Sequence, residues 1–344
     1  MKLSTCCVAC PLSAVARSND GNRARAGLRL HVDPDRVMQQ RCSAPTTRVS
    51  GDPETAEVGE RVKSADSVAR LSRVHVATQN PTVRVVTYNI HTCVGVDRRY
   101  DPGRISMVLR EIDADIASLQ EVDARRPVER HAGQWAYLGA ATGCRVIIGT
   151  GVRQPRGRFG NAILSRFPVL AARLIDLTVA GYEPRAAIDA EVLIGERVLR
   201  VIATHFGLHA AERRQQANRL MAALGEAVPA SRRKAHAVLL MGDLNEWRGR
   251  RGAIRSLDRR LGPSTAARTF PSWMPLLSLD RIYAGGPAVL RDVDVYRSPL
   301  ARLASDHLPL VGSLSWSARD QQDRERPRPS RRKGRPPVNK SASN

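Results

Sequence analysis

Aromatic residues are scarce in this chain of 344 residues, at 4% of the total, and the four tryptophans are scattered along it. A surface that stacks the bases of single-stranded nucleic acid needs aromatic side chains interleaved with basic ones. The composition therefore argues against such a surface. Long apolar runs are missing as well. No stretch of about 18 apolar residues occurs in the sequence, which excludes a membrane-spanning helix.

The six cysteines do not form the pattern of a disulfide-stabilised fold. Four of them lie near the N-terminus, and only Cys93 and Cys144 fall where the sequence is patterned like a folded domain. The Cys7–Cys10 spacing is that of half a zinc site, but no second ligand pair follows it. A weak apolar stretch at residues 8–16 is interrupted by proline and makes a poor signal peptide. We therefore expect a cytoplasmic protein.

The chain carries a formal net charge of +22, from 55 basic and 33 acidic residues. Such a charge attracts nucleic acid or an anionic membrane surface. Only five of the basic residues are lysine, however, and a GC-rich genome favours arginine codons. Composition alone leaves both explanations of the charge open.

Three segments differ in composition. Residues 1–80 show no sustained helical or strand period, which predicts a largely disordered extension with a short helix near residues 58–68. Residues 319–344 hold nine basic and three acidic residues with four prolines, which predicts a disordered basic tail. The residues between them, 81–318, are patterned as one α/β domain.

Many short apolar strands and few helices are predicted in this central segment. Asp101 and Pro102 supply the N-cap and first turn of one helix, and apolar residues follow at helical spacing. A second helix is predicted over residues 211–227. Because strands outnumber helices and do not strictly alternate with them, we expect packed sheets covered by outer helices. The predicted strands are 83–88, 116–119, 145–148, 161–164, 187–194, 198–204, 237–241, 279–283 and 308–314.

Polar residues follow or precede these strands, in the places where a scaffold presents functional side chains. Taken singly, each has an ordinary explanation: Asn89 caps a turn, Glu121 is a solvated loop acid, and His205 is a hydrogen-bonded core histidine. The ordered series is far more informative than its members. It comprises Tyr88–Ile90, Leu119–Val122, Gly160–Ser165, Thr204–Phe206, Gly242–Asn245, Leu279–Ile282 and Ser305–His307.

This series resembles the motifs of the endonuclease/exonuclease/phosphatase superfamily, the metal-dependent phosphoesterases related to deoxyribonuclease I and neutral sphingomyelinase. The motifs occur in the family's order across about residues 82–316. The resemblance implies an α/β fold like that of deoxyribonuclease I, a four-layer α-β-β-α sandwich of two mixed sheets with helices outside. It also implies a hydrolase that depends on Mg²⁺ or Mn²⁺.

Hydrolysis of a phosphate ester needs a divalent cation, a positioned water and hydrogen-bond donors for the non-bridging oxygens. Mg²⁺ prefers oxygen ligands and keeps several waters, so one or two carboxylates and a side-chain carbonyl suffice. Glu121 is the expected principal ligand, with Asn89 beside it. Asp306 is a further candidate, for this metal or for a second one.

Family analogy assigns the catalytic roles. Asp243 would orient and deprotonate the attacking water, and Asn245 would hold a phosphoryl oxygen. His205 and His307 would flank the phosphate. Asp280 would accept a hydrogen bond from His307 and so favour its imidazolium form.

Two further residues are candidates for binding substrate. Arg185 precedes a strand where related enzymes carry a phosphate-contacting arginine, although it is equally explained as a surface arginine. His91 stands two residues after Asn89, where base-excision endonucleases of the superfamily carry an acidic residue, and it either serves the phosphate or only packs. This departure weakens the case for a repair endonuclease and favours relatives linked to lipid metabolism.

The leading interpretation is a Mg²⁺-dependent phosphodiesterase or phosphatase that acts on a lipid or a small phosphoester. The alternatives are a nuclease acting on DNA or RNA, and a binding protein that keeps the fold without catalysis. Loops at residues 122–135, 150–159 and 247–277 are expected to decide the substrate, because pocket-forming loops vary on a shared fold. We expect a monomer, with nucleic acid or an anionic membrane surface as alternative partners.

Overall fold

The structure is a computed structural model, and it describes residues 82–317 without 124–127, 130, 132, 150–158, 226–236 and 248–251. The described residues form eleven strands and five α-helices, joined by turns and loops. In chain order the elements are β1 (Val83–Asn89), α1 (Pro102–Ile112), β2 (Ile116–Asp123), α2 (Gln134–Thr142), β3 (Arg145–Gly149), β4 (Phe159–Ser165), β5 (Val169–Asp176), β6 (Ala186–Ile194), β7 (Arg197–His205), α3 (Ala210–Leu224), β8 (Ala237–Asp243), α4 (Ala253–Leu261), β9 (Asp280–Gly285), β10 (Ala288–Val295), α5 (Pro299–Ala304) and β11 (Leu310–Trp316).

The strands form two mixed sheets. One has six strands in the order β10-β11-β1-β2-β4-β3, and the other has five in the order β5-β6-β7-β8-β9. Each sheet contains one parallel pair, β1 with β2 and β7 with β8, among antiparallel neighbours. Parallel neighbours end at the same edge of a sheet, so the polar residues that follow each pair are brought together.

Strand β7 shows why the sequence forms a sandwich. Leu199, Val201 and Ala203 belong to the core that joins the two sheets, whereas Ile202 belongs to a second core beneath the helices. Successive side chains of a strand point to opposite faces, so a strand that is apolar on both faces must be covered on both. One face of the sheet is therefore packed on the other sheet and the opposite face on helices.

Helices cover the outer faces. α1 packs against α2 and α5 on the six-stranded sheet, and α3 packs against α4 on the five-stranded sheet. As the sequence predicts, the Asp101 side chain caps α1 by accepting a hydrogen bond from the backbone N–H of Arg104, at 3.2 Å. The four-layer sandwich of two mixed sheets is confirmed. No helix among the described residues combines the length and the apolar character needed to cross a bilayer.

Several elements are absent from the predicted set, namely α2, α4, α5, β5 and β10. Both strands lie at sheet edges, where charged side chains interrupt the apolar pattern that identifies an interior strand. Helix α3 ends at Leu224 with Gly225 as its C-cap, and residues 226–227 of the predicted helix lie outside the described residues. The predicted helix near 58–68, both terminal segments and residues 150–158 lie outside the described residues.

A buried carboxylate ties three strands to the end of a helix. Asp189 on β6 accepts hydrogen bonds at 2.8 Å from Arg173 on β5 and from Arg200 on β7. The same two guanidinium groups donate to the carbonyls of Ala223 and Leu224 at 2.9–3.0 Å. The last carbonyls of a helix lack intrahelical donors, so this cluster also caps α3.

We predict that Asp189→Ala lowers the free energy of unfolding by about 3–5 kcal/mol, because it leaves two arginines in the protein without their countercharge. Urea denaturation followed by circular dichroism measures the change. Glu196→Ala, in the exposed turn between β6 and β7, is the control and should stay within about 0.5 kcal/mol of the wild type. Equal effects of the two substitutions would show that the buried cluster does not stabilise the fold.

Candidate active site

Three of the predicted catalytic residues stand side by side at one sheet edge. His205 pairs in register with Asp243, and Asp243 pairs in register with Asp280. Side chains directly opposite one another on neighbouring strands share a face of the sheet, so the three are adjacent. Gly242 makes the approach of β7 and β8 possible, because a Cβ at this position would lie 2.0 Å from the carbonyl oxygen of Thr204.

Asn89 joins this row to the opposite sheet. Its Nδ2 donates to Oε1 of Glu121 at 2.9 Å and to Oδ2 of Asp243 at 3.2 Å. Its Oδ1 accepts a hydrogen bond from the backbone N–H of His91 at 3.0 Å, which fixes the orientation of the amide. One buried side chain therefore connects the expected metal ligand with the expected base.

The side chain of Glu121 is aimed by an irregularity in its strand. The pairing of β2 with β4 shifts register between Leu119 and Val122, and Glu121 has a φ of 58°. Bulges of this kind redirect a side chain that regular pleating would place elsewhere. The left-handed backbone is strained for a residue with a Cβ, and it brings the carboxylate to Asn89.

His307 and Asp280 form a buried ion pair. Nδ1 of His307 lies 2.9 Å from Oδ2 of Asp280, and Thr269 Oγ1 donates to the same oxygen at 2.6 Å. Burial opposes the charged ring, but the Asp280 carboxylate outweighs it and raises the pKa of His307 to about 10. The ring is therefore an imidazolium at neutral pH, the form that the family resemblance implies.

Asp243 lies between the two histidines. Its Oδ2 is 3.6 Å from Nε2 of His205 and 3.7 Å from Nε2 of His307. Burial raises the pKa of Asp243 to about 6, against the opposing effect of the His307 charge. A carboxylate with a pKa near neutrality is suited to accept a proton during turnover.

His205 has a proton state opposite to that of His307. Burial, together with the charges of Arg185 and His307, holds the pKa of His205 well below its usual value, so the ring is neutral. Its Nδ1 lies 3.3 Å from Nη1 of Arg185. The Arg185 guanidinium and the Asn245 amide nitrogen, which flank the ring, both only donate, and a neutral ring can accept from one of them alone.

The amide of Asn245 lies beside Nε2 of His205. Its Nδ2 donates to the carbonyl of Phe206 at 2.9 Å and lies 3.1 Å from Nε2 of His205. These contacts hold the ring and the amide together next to Asp243. Asn245 has a φ of 50°, and its backbone N–H donates to Oδ1 of Asp243 at 2.9 Å.

Asp306 and His91 lie at the exposed side of the cluster. Oδ1 of Asp306 is 3.8 Å from Nδ1 of His91 and 3.4 Å from Oγ of Ser305. Ser305 in turn donates to the carbonyl of Asn89 at 2.8 Å, so Asp306 is held close to the end of β1. Nδ1 of His91 lies 2.9 Å from the carbonyl of Val94, which ties its ring to its own turn.

Four residues around the cluster were not among the predicted site residues. Thr269 and Ser305 orient predicted members, as described above. The Phe270 ring lies 4.8 Å from the His307 ring, and Trp247 meets Phe270 edge-on at 6.5 Å. Serine, threonine and aromatic residues in long loops give no periodic signal, so only their place in the fold identifies them.

Two groups of side chains offer ligands for a cation. Ligand atoms of Asp243, Asp280 and His307 lie within 4.8 Å of one another. The ring of His307 is charged and already bound to Asp280, so it has no lone pair for a metal. Glu121, Asn89 and Asp306 offer carboxylate and amide oxygens, the donor set that fits Mg²⁺ or Mn²⁺.

A model of the Endonuclease/Exonuclease/phosphatase family matches residues 86–307. The chain belongs to this family. Members of the family are metal-dependent phosphoesterases or nucleases, and this chain is an enzyme of that broad class. The matched range contains all ten predicted site residues and ends at His307.

The proteins similar to this chain name no substrate. YbhP, an uncharacterized protein of Escherichia coli K12, is 30% identical over 260 residues, covering 69% of this chain and 98% of YbhP. An endonuclease/exonuclease/phosphatase of Bacteroides vulgatus superposes with a TM-score of 0.57 at 18% identity, covering 69% of this chain and all of that one. The catalytic domain of human Nocturnin superposes at 0.53 with 19% identity, covering 69% and 94%. At these identities the solved structures establish the fold.

We predict that Asp280→Asn lowers kcat about a hundredfold, because the imidazolium of His307 loses the carboxylate that stabilises it. His307→Ala should cost at least as much, and the double substitution little more, since residues that act as a unit are not additive. Asp294→Asn, on the exposed face of β10, is the matched control and should keep full turnover. Losses that multiply in the double variant would show that the two residues act independently.

Proposed function

We propose that this protein is a Mg²⁺-dependent hydrolase of phosphate esters, in which a water molecule attacks the phosphorus. The observation that carries the proposal is the arrangement around Asp243. A carboxylate with a pKa near 6 lies between an imidazolium, His307, and a neutral histidine, His205, whose Nε2 adjoins the Asn245 amide. Acceptor and donors of this kind are what attack on a phosphate requires.

The metal would be held by Glu121, with Asn89 and Asp306 as further ligands. Oδ1 of Asn89 accepts one hydrogen bond, from His91, and a carbonyl oxygen has a second lone pair. A Mg²⁺ ion held by these oxygens would act as a Lewis acid on a phosphoryl oxygen. Asp280 and His307 are not in this donor set, so their ion pair would be free to serve the substrate.

Asp243 would take the proton of the attacking water. The Nδ2 of Asn89 holds its Oδ2 in place, and the backbone N–H of Asn245 holds its Oδ1. These hydrogen bonds favour the ionised form, while burial favours the neutral one, and the balance sets the pKa near neutrality. The carboxylate is therefore ionised in part of the population at pH 6 and in nearly all of it at pH 8.

The donors around Asp243 would stabilise the charge that develops on the phosphoryl oxygens. His307 brings a full positive charge, and the Asn245 amide brings N–H donors next to His205. Arg185 adds a guanidinium in contact with the His205 ring, and both residues line one cavity. Preorganised donors of this kind supply a large part of enzymatic rate enhancement.

We favour a lipid or small phosphoester as the substrate because His91 replaces the acidic residue expected of repair endonucleases. The net charge of +22 supports the second candidate, a nuclease. Binding of nucleic acid weakens steeply with salt because counterions are released. A panel of DNA, RNA, phospholipid and sugar-phosphate substrates, assayed at two salt concentrations, separates the two.

We predict that EDTA abolishes hydrolysis and that Mg²⁺ or Mn²⁺ restores it. Glu121→Gln should lose most of the activity while staying folded, because the amide removes the negative charge that holds the cation. Isothermal titration with Mn²⁺ should show the same loss in binding. Glu129→Gln, outside the site, is the control. Full activity in Glu121→Gln, or turnover in EDTA, would contradict the assignment.

A further inference from the structure

Arg213 on α3 binds two loops at once. Its Nη1 donates to the carbonyl of Leu208 at 2.6 Å and lies 3.4 Å from that of Gly207, while its Nη2 donates to Oε1 of Glu246 at 3.2 Å. The side chains of Arg213 and Glu246 are 3% and 4% exposed. A charged pair this deeply buried is tolerated only when each partner neutralises the other.

Both loops carry residues of the active site. Gly207 and Leu208 directly follow the His205–Phe206 segment, and Glu246 directly follows Asn245. The two loops already meet at the site, since Asn245 contacts the His205 ring and the Phe206 carbonyl. Arg213 also links the two loops, through its hydrogen bonds to Leu208 and Glu246. The loops and the Arg213 side chain therefore form a closed ring of covalent and hydrogen bonds that includes His205 and Asn245.

The start of α3 reinforces this ring. Oε1 of Gln216 accepts a hydrogen bond from the Gly207 N–H at 2.8 Å, and its Nε2 donates to Glu212 at 2.9 Å. The loop packs tightly on the helix here, since a Cβ at position 207 would lie 1.9 Å from the Glu212 carboxylate. The loop after His205 is thus held against the helix through side chains that do not reach the catalytic cluster.

Asn245 needs such support because of its backbone. Its φ of 50° lies in the left-handed region, which an asparagine tolerates better than most residues but does not prefer. Asp243 fixes one side of this turn through the Asn245 N–H. Glu246, held by Arg213, fixes the other side.

We propose that Arg213 and Glu246 are positioning residues that hold the side chains of His205 and Asn245 in register for the phosphoryl group. Neither is exposed enough to touch a substrate, so both act through the residues they hold. The inference rests on the proposed function, since it concerns the same site. Displacement of catalytic groups by about 1 Å can cost a hundredfold in rate.

The test compares Arg213→Met, Arg213→Lys and Glu246→Gln with Asp189→Asn in the full-length protein. Asp189→Asn also perturbs a buried ion pair, but that pair lies away from the site. Assays are run at a temperature at which circular dichroism shows that all four variants are folded.

We expect kcat to fall ten- to a hundredfold in Arg213→Met with KM within threefold, a partial recovery in Arg213→Lys, and an unchanged kcat in Asp189→Asn. Glu246→Gln, which keeps an acceptor for the guanidinium, should fall less and remains informative if Arg213→Met does not fold.

A fall in kcat that matches that of the Asp189→Asn control would overturn the inference and leave Arg213 with a role in stability alone. A rise in KM with unchanged kcat would overturn it too.

Side-chain NMR provides a readout that needs no activity. The His205 ring and Asn245 amide resonances should shift in the Arg213 and Glu246 variants and not in the control. If they do not shift, the inference fails. If wild-type protein shows no metal-dependent hydrolysis, the proposed function fails, and the NMR comparison still decides the positioning role.

Discussion

The hydrogen bond between Nδ2 of Asn89 and Oδ2 of Asp243 joins the two halves of this molecule. The two residues are 154 positions apart and belong to different sheets. Each ends a strand of a parallel pair, β1 beside β2 and β7 beside β8. The sandwich brings those two edges together, and Asn89 is the side chain that spans them. The distance between the expected metal ligands and the expected base therefore depends on how the sheets pack.

Burial and neighbouring charges set opposite proton states in the two histidines of the site. His307 is charged because Asp280 accompanies it into the interior, whereas His205 is neutral because burial and the charges of Arg185 and His307 disfavour its protonation. Two histidines with opposite charge states on either side of one carboxylate divide the tasks of phosphate chemistry between them. The loops that follow β7 and β8 position His205 and Asn245. Helix α3 binds the loop after β7 through Arg213 and Gln216.

Local sequence patterns predicted the ends of the central strands, whereas the sandwich and the pairing of Asp280 with His307 were implied by the family resemblance that the ordered motifs carry. The sequence did not predict the bulge that aims Glu121, since a register shift depends on a partner strand. Nor did it identify Thr269, whose role arises only when its loop folds against Asp280. The edge strands β5 and β10 were not predicted, because charged side chains interrupt the alternation of apolar and polar residues in them. Whether Glu121, Asn89 and Asp306 bind the metal stays a prediction.

The most direct test of this account is the position of the cation. Crystals of the protein soaked in Mn²⁺ would locate it by anomalous diffraction. The account predicts a peak within coordination distance of the Glu121 carboxylate and of Asn89 or Asp306, with the contact between Asp280 and His307 kept. A peak between Asp243 and Asp280, with a His307 nitrogen as ligand, would contradict it, because His307 would then be a metal ligand and could not serve the phosphate as an imidazolium.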